Sequence, residues 1–543
     1  MTMRTRTTRL LVAGASVALA ACASGQSILQ AGNAATTSTK PPGSAAPGAA
    51  VGPPTTICVV EPCATGPNPT NAGLPTTIQL ATPASEARPG GFSGAPGVTV
   101  QLAGNPDFAA CPVDALEAAG EPVRITFWHT MQSAAGDALA ALTDMYNASQ
   151  DRVVVELQNQ NGYEELIEKY FQSSPGDRPH LAQLPEYMLQ QMADTNTVVT
   201  TTACIQTEGF DITPFLPRAM FAYQTGGVQW AMPFNISSPV LYYNKAVFEE
   251  AGLDPEQPPI TLDDLRAYSQ QVVDSGAATY GLALDSGVNS GGGWFLEQWL
   301  ARAGLPYADN DNGRTARATQ VLFNTPESAE MLTFAQDLVE DELAVYVGED
   351  PRGLDGLLRI ADPQQPAAMT IATSGALGGV LDFVEGGAIT GITSDDIGVG
   401  PMPGPSDTPS AIIGGAALYI MRDKGDAESA AAWDYIKYLV SAEAQSTWAN
   451  ESGYAPVRDD ATTVDPLAQT YADDPRFRVA YDQVNFTADD FSAVGPVLGP
   501  MRQVRQATAQ MMADIYTGTA VEEALTAAAD QANLLIIDYN SRN

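Results

Sequence analysis

Positive charge is scarce in this chain: 26 of its 543 residues are Lys or Arg against 63 Asp or Glu, giving a net charge of −37. Nucleic-acid binding needs concentrated Lys and Arg to displace phosphate counterions, so that class is excluded. Histidine is scarcer still, with only His129 and His180, and none of the five cysteines forms a CxxC pair. No recognisable metal-ligand spacing remains. No segment beyond the N-terminal stretch holds about 18 uninterrupted apolar residues, so no transmembrane helix is expected. GxSxG, Walker A, HExxH and a helix-opening GxGxxG are also missing. The glycine-rich run Gly287-Val-Asn-Ser-Gly-Gly-Gly293 leads into Trp294 without a phosphate-loop lysine. Carboxylates are too abundant for counting to single out a pair suited to glycoside hydrolysis. No reaction, cofactor or metal is expected.

The N-terminus is informative. Arg4, Arg6 and Arg9 precede a short apolar stretch, Leu10 to Ala21, which ends in Leu19-Ala-Ala-Cys22. A basic region, an apolar region too short to span a bilayer and small residues before a cut describe a secretory signal. The ending resembles a bacterial lipobox, in which Cys22 becomes the lipid-bearing first residue. Residues 1–22 are thus expected to be a lipoprotein signal, and the mature protein to be extracytoplasmic and tethered to the cell membrane by that lipid alone. Cys58, Cys63, Cys111 and Cys204 remain, an even number that suits disulfides in an exported chain, with three possible connectivities. The pairing favoured is Cys58–Cys63 with Cys111–Cys204; a zinc site is the alternative.

Residues 23–117 are rich in Ala, Gly, Pro, Ser and Thr, as in Lys40-Pro-Pro-Gly-Ser-Ala-Ala-Pro-Gly48. They hold too few large apolar groups to offset chain entropy and read as a tether. Patterning then begins abruptly. Val123, Ile125 and Phe127 alternate with polar residues, predicting a strand. Leu139, Leu142, Met145 and Tyr146 predict a helix over 136–150, Val153 to Leu157 a second strand, Glu164 to Phe171 a second helix, and Val521 to Asn540 a long terminal helix. Alternating strands and helices indicate an α/β fold with a mostly parallel sheet, and the length of this region indicates two lobes. Trp128, Tyr163, Tyr223, Trp230, Tyr242, Trp294, Trp299 and Tyr454 lie beside Gly, Ser, Asn or Pro. Rings with neighbouring hydroxyls suit a cleft for a polar small molecule, although core packing explains any one ring by itself.

The segment Pro233-Phe-Asn-Ile-Ser-Ser-Pro-Val-Leu-Tyr-Tyr-Asn-Lys245 meets a family. With Phe248-Glu-Glu-Ala-Gly-Leu-Asp-Pro-Glu-Gln-Pro-Pro259 and Thr261-Leu-Asp-Asp-Leu265 it resembles the extracellular solute-binding proteins of carbohydrate ABC importers, nearest to the glycerol-3-phosphate-binding branch. Phe127-Trp-His129, Ile412-Ile-Gly-Gly-Ala416, Ser452-Gly-Tyr-Ala-Pro456 and Met501-Arg-Gln-Val-Arg505 extend the likeness over residues 120–543.

The resemblance implies a two-lobed periplasmic-binding-protein fold of type II, with the ligand between the lobes. Lobe one is expected over 118–236 and 368–413, and lobe two over 237–367 and 414–543. Crossings are expected near Asn235–Pro239, Ala367–Ile371 and Gly414–Leu418. The chain would bind a glycerol-3-phosphate, a glycerophosphodiester or a sugar, work as a monomer and deliver its load to ABC permease subunits. Residue by residue, the resemblance implies ligand contacts from Tyr163, Glu186, Ser237, Ser238, Trp294 and Tyr454. Ser374, Gly375, Gly414 and Gly415 would offer hydroxyl and amide donors to phosphate, and Arg505 would grip an anionic oxygen. One departure stands out: the branch shows two tryptophans where Asn289-Ser-Gly-Gly-Gly-Trp294 supplies one, which implies room for a larger head group. An exported glycan-processing enzyme and a purely structural envelope lipoprotein are the alternative classes. The first predicts turnover, the second no ligand response.

Overall fold

The alternation at the start of the globular part becomes the Val123–His129 strand, with Val123, Ile125 and Phe127 buried. The helix expected next spans Ser133–Ser149 and buries Leu139, Leu142 and Tyr146. Met145 departs from expectation, being 58% exposed, because it falls to the side of that apolar stripe. The Val153–Asn159 strand and the helices Tyr163–Gln172 and Val521–Arg542 likewise match expected elements within a few residues. The Thr261-Leu-Asp-Asp motif opens the Leu262–Ser275 helix as a capping box. Thr261 accepts from the Asp264 amide and Asp264 accepts from the Thr261 amide.

The structure, a computed structural model, describes residues 111–350, 353–387, 391–486 and 494–543, and the backbone of two paired two-residue strands, Gln79–Leu80 and Val98–Thr99. Cys22, Cys58 and Cys63 lie outside the described residues. The structured part begins before residue 118, where the tether was expected to end. Cys111 is disulfide-bonded to Cys204, and Leu116, in the short helix Ala115–Ala118, is buried next to the Asp426–Leu439 helix. A covalent link and one buried leucine hold a segment whose composition shows little tendency to fold. Among the described residues, no helix is long and apolar enough to cross a membrane.

Two sheets organise the fold. In the first, the strand order is Val153–Asn159, Val123–His129, Leu181–Pro185, Gly414–Met421 and Val198–Val199, with Met232–Ser237 also paired to Gly414–Met421. In the second, it is Ala344–Tyr346, Tyr280–Leu284, Ala367–Thr373, Pro239–Asn244 and Ile397–Pro401. Both are mixed sheets, parallel where helices connect the strands and antiparallel where the chain returns.

This pairing divides the chain differently from the expected boundaries. The passage from Ser237 to Pro239 does leave one sheet for the other. The segment Ala367–Ile371, expected as a crossing, instead lies within a strand of the second sheet, antiparallel to Pro239–Asn244 and parallel to Tyr280–Leu284. Residues 368–413, expected with lobe one, thus contribute their strands to the second sheet. Gly414–Met421, expected with lobe two, pairs with Leu181–Pro185 in the first, and helices Asp426–Leu439 and Ala442–Ser452 pack on that side. The chain crosses back between Pro401 and Gly414, and again between Ala455, which bridges to Ile236, and the Val479–Phe486 helix beside the second sheet. Local pattern identifies a buried strand but carries no information about which sheet will hydrogen-bond it. Gly415, at the last of the expected crossings, has φ of +95° and a backbone so near the Asn235 carbonyl that a Cβ would collide with it.

His129 closes the first strand 5% exposed, and among the described residues no partner meets its Nδ1. Burial lowers its pKa from 6.5 to about 4. The unfolded chain therefore takes up this proton first, so stability is complete above the unfolded pKa and is lost as pH falls from 6.5 towards 4. The loss amounts to about 3 kcal/mol. His129→Gln should flatten that part of the stability–pH curve in denaturant melts. An unchanged slope would show that His129 is not the group being titrated.

Candidate functional site

The helix Met501–Tyr516 turns Arg505 inward, and two carboxylates from separate elements receive it. Glu297, on the helix Gly293–Arg302, accepts from Nε at 2.6 Å and from Nη2 at 2.7 Å. Glu186, in the turn that follows the Leu181–Pro185 strand, faces Nη1 at 2.7 Å. The ring of Tyr187 lies 5.0 Å from the guanidinium carbon. Side-chain exposure is 5% for Arg505 and 1% for Glu297, so the fork is desolvated. Burial opposes the Arg505 charge, yet Glu297 and Glu186 outweigh it and hold the guanidinium protonated. Burial, reinforced by Glu297, raises the Glu186 carboxyl above the usual range even though Arg505 pulls it down. Two carboxylates around one guanidinium make a cluster of net charge −1 when all three are ionised.

Tyr163 is placed by a buried relay. Gln183 accepts from the Thr130 amide at 2.9 Å and donates to Asn235 Oδ1 at 2.7 Å; Asn235 donates to the Tyr163 hydroxyl at 3.1 Å. Gln183 and Asn235 are fully buried, so this relay carries register information through an otherwise apolar layer. Tyr454 stacks on Trp448, with ring centres 5.5 Å apart at 18°. Its side chain also interacts with Tyr163 and Asn235. Tyr163, Glu186, Tyr454, Trp294 and Arg505 thus all sit where the two sheet layers meet, together with Tyr223, which ends the Pro217–Ala222 helix, and Tyr419 of the first sheet. The hydroxyls of those last two are buried within electrostatic reach of Glu186.

The other expected contacts have different surroundings. Ser238 and Ser374 bind each other: the Ser374 amide donates to the Ser238 carbonyl at 2.9 Å, while Ser238 Oγ accepts from Gln483 at 2.9 Å. Ser237 is buried opposite Gly414 in the strand ladder. The Gly375 amide, expected to face phosphate, donates to Thr373 Oγ1 at 3.3 Å. Gly375 and Gly414 serve as seats for rings, since a Cβ would strike Tyr454 at the first and Trp294 at the second. Arg505, expected to be open to an anion, has Nε, Nη1 and Nη2 each facing a carboxylate.

The glycines before Trp294 do not mark an emptied ring position. A Cβ on Gly291 would meet the Asp285 carbonyl, and one on Gly293 the Thr508 hydroxyl, so these glycines leave room for close neighbours and not for a lost ring. Asp285 gathers this loop, accepting from the Gly287 amide at 2.9 Å and the Gly291 amide at 3.0 Å. Trp230, Trp299 and Tyr242 are core: Trp299 donates to the Pro403 carbonyl at 3.1 Å and Tyr242 to the Thr373 carbonyl at 2.9 Å. Sequence reasoning missed Glu297, although it follows Trp294 by three positions and so shares its helix face. Asn235 and Gln183 carry no local signal, because their role depends on a pairing between distant strands.

Gly414→Ala tests the ring seat. Overpacking at Trp294 should cost about 1–3 kcal/mol and change the tryptophan emission. A variant with wild-type emission and melting temperature would show that the Trp294 ring is not fixed by that glycine.

Comparison with known proteins agrees with this architecture. A family model for bacterial extracellular solute-binding proteins matches residues 141–479. The sn-glycerol-3-phosphate-binding periplasmic protein UgpB of Pectobacterium atrosepticum is 28% identical over 442 residues, 79% of this chain and 95% of its own length. UgpB of Escherichia coli K12 is 28% identical over 424 residues, covering 76% and 92%. Among solved structures, UgpB of Mycobacterium tuberculosis in complex with glycerophosphocholine superimposes with a TM-score of 0.64 at 20% identity, covering 77% of this chain and 99% of its own. The cyclic α-maltosyl-1,6-maltose-binding protein of Arthrobacter globiformis gives 0.61 at 26% identity, covering 77% and 100%. With two α/β layers, a polar cluster at their junction and a family match over more than half its length, the chain belongs to the bacterial extracellular solute-binding proteins, with the two-lobed type II fold.

Proposed function

We propose that this protein is the lipid-anchored binding component of an ABC importer, capturing a glycerol- or sugar-derived solute by lobe closure and handing it to the permease. The observation that carries the reading is the Glu186–Arg505 contact at 2.7 Å, made between a turn of the first sheet and a helix of the other lobe. A carboxylate and a guanidinium beside Tyr163, Trp294 and Tyr454 match what a polyhydroxylated ligand needs: charge-assisted hydrogen bonds in its plane and rings against its CH faces. Lobe one then comprises the first sheet with its helices, lobe two the second, and hinge motion falls on the crossings at Ser237–Pro239, between Pro401 and Gly414, and between Ala455 and Val479. Further pairs span the same junction and support closure as the working motion. Arg317 grips Asp194 with two contacts of 2.8 Å, and Arg502 reaches Glu164 at 2.5 Å. No residue is assigned a chemical step.

The test is a thermal-shift screen of the full chain against glycerol 3-phosphate, glycerophosphocholine, maltose and larger oligosaccharides. A ligand bound only by the folded state stabilises it by about 2.7 kcal/mol at a hundred times its Kd. One of these classes should raise the melting temperature in a saturable way and shrink the radius of gyration. Product formation from any of them would favour the enzyme reading instead.

The anchor has its own test. Cys22→Ser should move the protein from membranes to the soluble fraction, since two acyl chains hold stably where none remains. Retention of the variant after high-salt washing would refute lipidation at Cys22.

A further inference from the structure

Arg505 carries the charge that an anionic ligand would seek, yet this fold surrounds it. Glu297 takes its Nε and Nη2 edge in the bidentate geometry that matches a guanidinium to a carboxylate. Only the Nη1 edge faces Glu186 and the cleft. Glu297 is among the most deeply buried acids in the protein, at 1% side-chain exposure, so water screens this pair weakly. It also shares a helix with Trp294, three positions earlier, and that ring rests against Gly414 where the chain enters the first sheet. The neighbouring Gln298 fixes the same helix to the cleft wall, donating to the Ile412 carbonyl at 3.1 Å and accepting from the Ile412 amide at 2.9 Å. The helix thus delivers a ring and a counter-charge together, at fixed distance from the ligand space. The cavity beside them is lined by the carboxylates of Glu186 and Glu297 and by three guanidiniums, those of Arg218, Arg314 and Arg505. Arg314 spends its donors on the carbonyls of Gly495, Phe221 and Gln224.

We propose that Glu297 is the residue that sets charge selectivity in this cleft: by neutralising Arg505 it tunes the site to solutes without net charge and against dianions such as a phosphate monoester. This rests on the reading of the cleft as the solute site. Glu297 acts through Arg505 and is a positioning residue. With Glu297 ionised, the two carboxylates offset two of the three guanidiniums that line the cavity. With Glu297 uncharged, Glu186 alone offsets them, and an entering dianion meets one more unit of positive charge.

The experiment measures binding of three probes to the full chain by calorimetry at constant ionic strength: glycerol 3-phosphate, a dianion at neutral pH; glycerophosphocholine, which shares its glycerol-phosphate part but has no net charge; and maltose, which is neutral. Wild type should bind glycerophosphocholine or maltose at least about tenfold more tightly than glycerol 3-phosphate, the effect of one extra unit of charge at close range in a poorly screened site. Glu297→Gln should shift that ratio towards glycerol 3-phosphate by about tenfold or more. Glu297→Asp, which keeps the charge on a shorter stem, should weaken the bound probes together and leave their ratio unchanged, as a merely structural role would in both variants. A ratio that Glu297→Gln leaves unchanged overturns the proposal while the functional reading stands. If Glu297→Gln gives no cooperative melt, wild type decides: equal or tighter binding of glycerol 3-phosphate than of both other probes overturns it. If none of the three probes binds wild type, the reading of the cleft fails and the proposal with it.

Discussion

A guanidinium held between two carboxylates at a junction of lobes is the constraint around which this protein is arranged. Removing three charges from water is costly, and attraction repays that cost only when geometry is good and every donor is used. Arg505 meets this condition through three elements distant in sequence: the turn after Pro185, the helix that begins at Gly293, and the helix that begins at Met501. Each must be placed to a fraction of an ångström. The first is set by the parallel pairing of Leu181–Pro185 with Val123–His129, the second by the Asp285-bound glycine loop, the third by its packing on that second helix. Removing Arg505 would leave two buried carboxylates facing each other, and removing Glu297 would take away two of the three contacts of the guanidinium.

The fold was legible in the sequence where its signals are local. The Val123–His129 alternation, the Thr261 capping box and the amphipathic terminal helix all reappear in place, because side-chain periodicity and cap chemistry act within a few residues. Assignment of strands to sheets was not legible. Ala367–Thr373 and Gly414–Met421 are both buried, mostly apolar runs with small residues, and nothing in either states which sheet will receive it. The site was legible in part. Family motifs led to Tyr163, Glu186, Trp294, Tyr454 and Arg505, and these do gather at one junction. What the motifs omit is the partner of each residue. Glu297, Asn235 and the ring seats at Gly375 and Gly414 decide how the site residues are used.

Glycine illustrates that difference. In the sequence, Gly414-Gly415 reads as a crossing with amide donors for phosphate, and the run before Trp294 as lost bulk. In the structure, Gly414 leaves space for an indole, Gly415 takes up a left-handed conformation against the Asn235 carbonyl, Gly291 lies directly on the Asp285 carbonyl, and Gly293 lets its helix approach the Met501–Tyr516 helix at Thr508. These are separate uses of a missing Cβ, and composition alone does not distinguish them.

The disulfide between Cys111 and Cys204 has a mechanical meaning in the proposed anchored form. The chain from Cys22 onwards is then the leash, and a pull along it reaches Cys111 before it reaches the Ala115–Ala118 helix. Without the cross-link, tension would act on a four-residue helix and next on the end of the Val123–His129 strand, peeling the sheet one pair at a time. With Cys111 bonded to Cys204, part of the load passes sideways into the Thr201–Glu208 helix, beyond several strands and helices of the same layer. The bond acts as a strain relief, as a clamp does where a cable enters its housing, and keeps the pull of the leash from the strand that ends in His129.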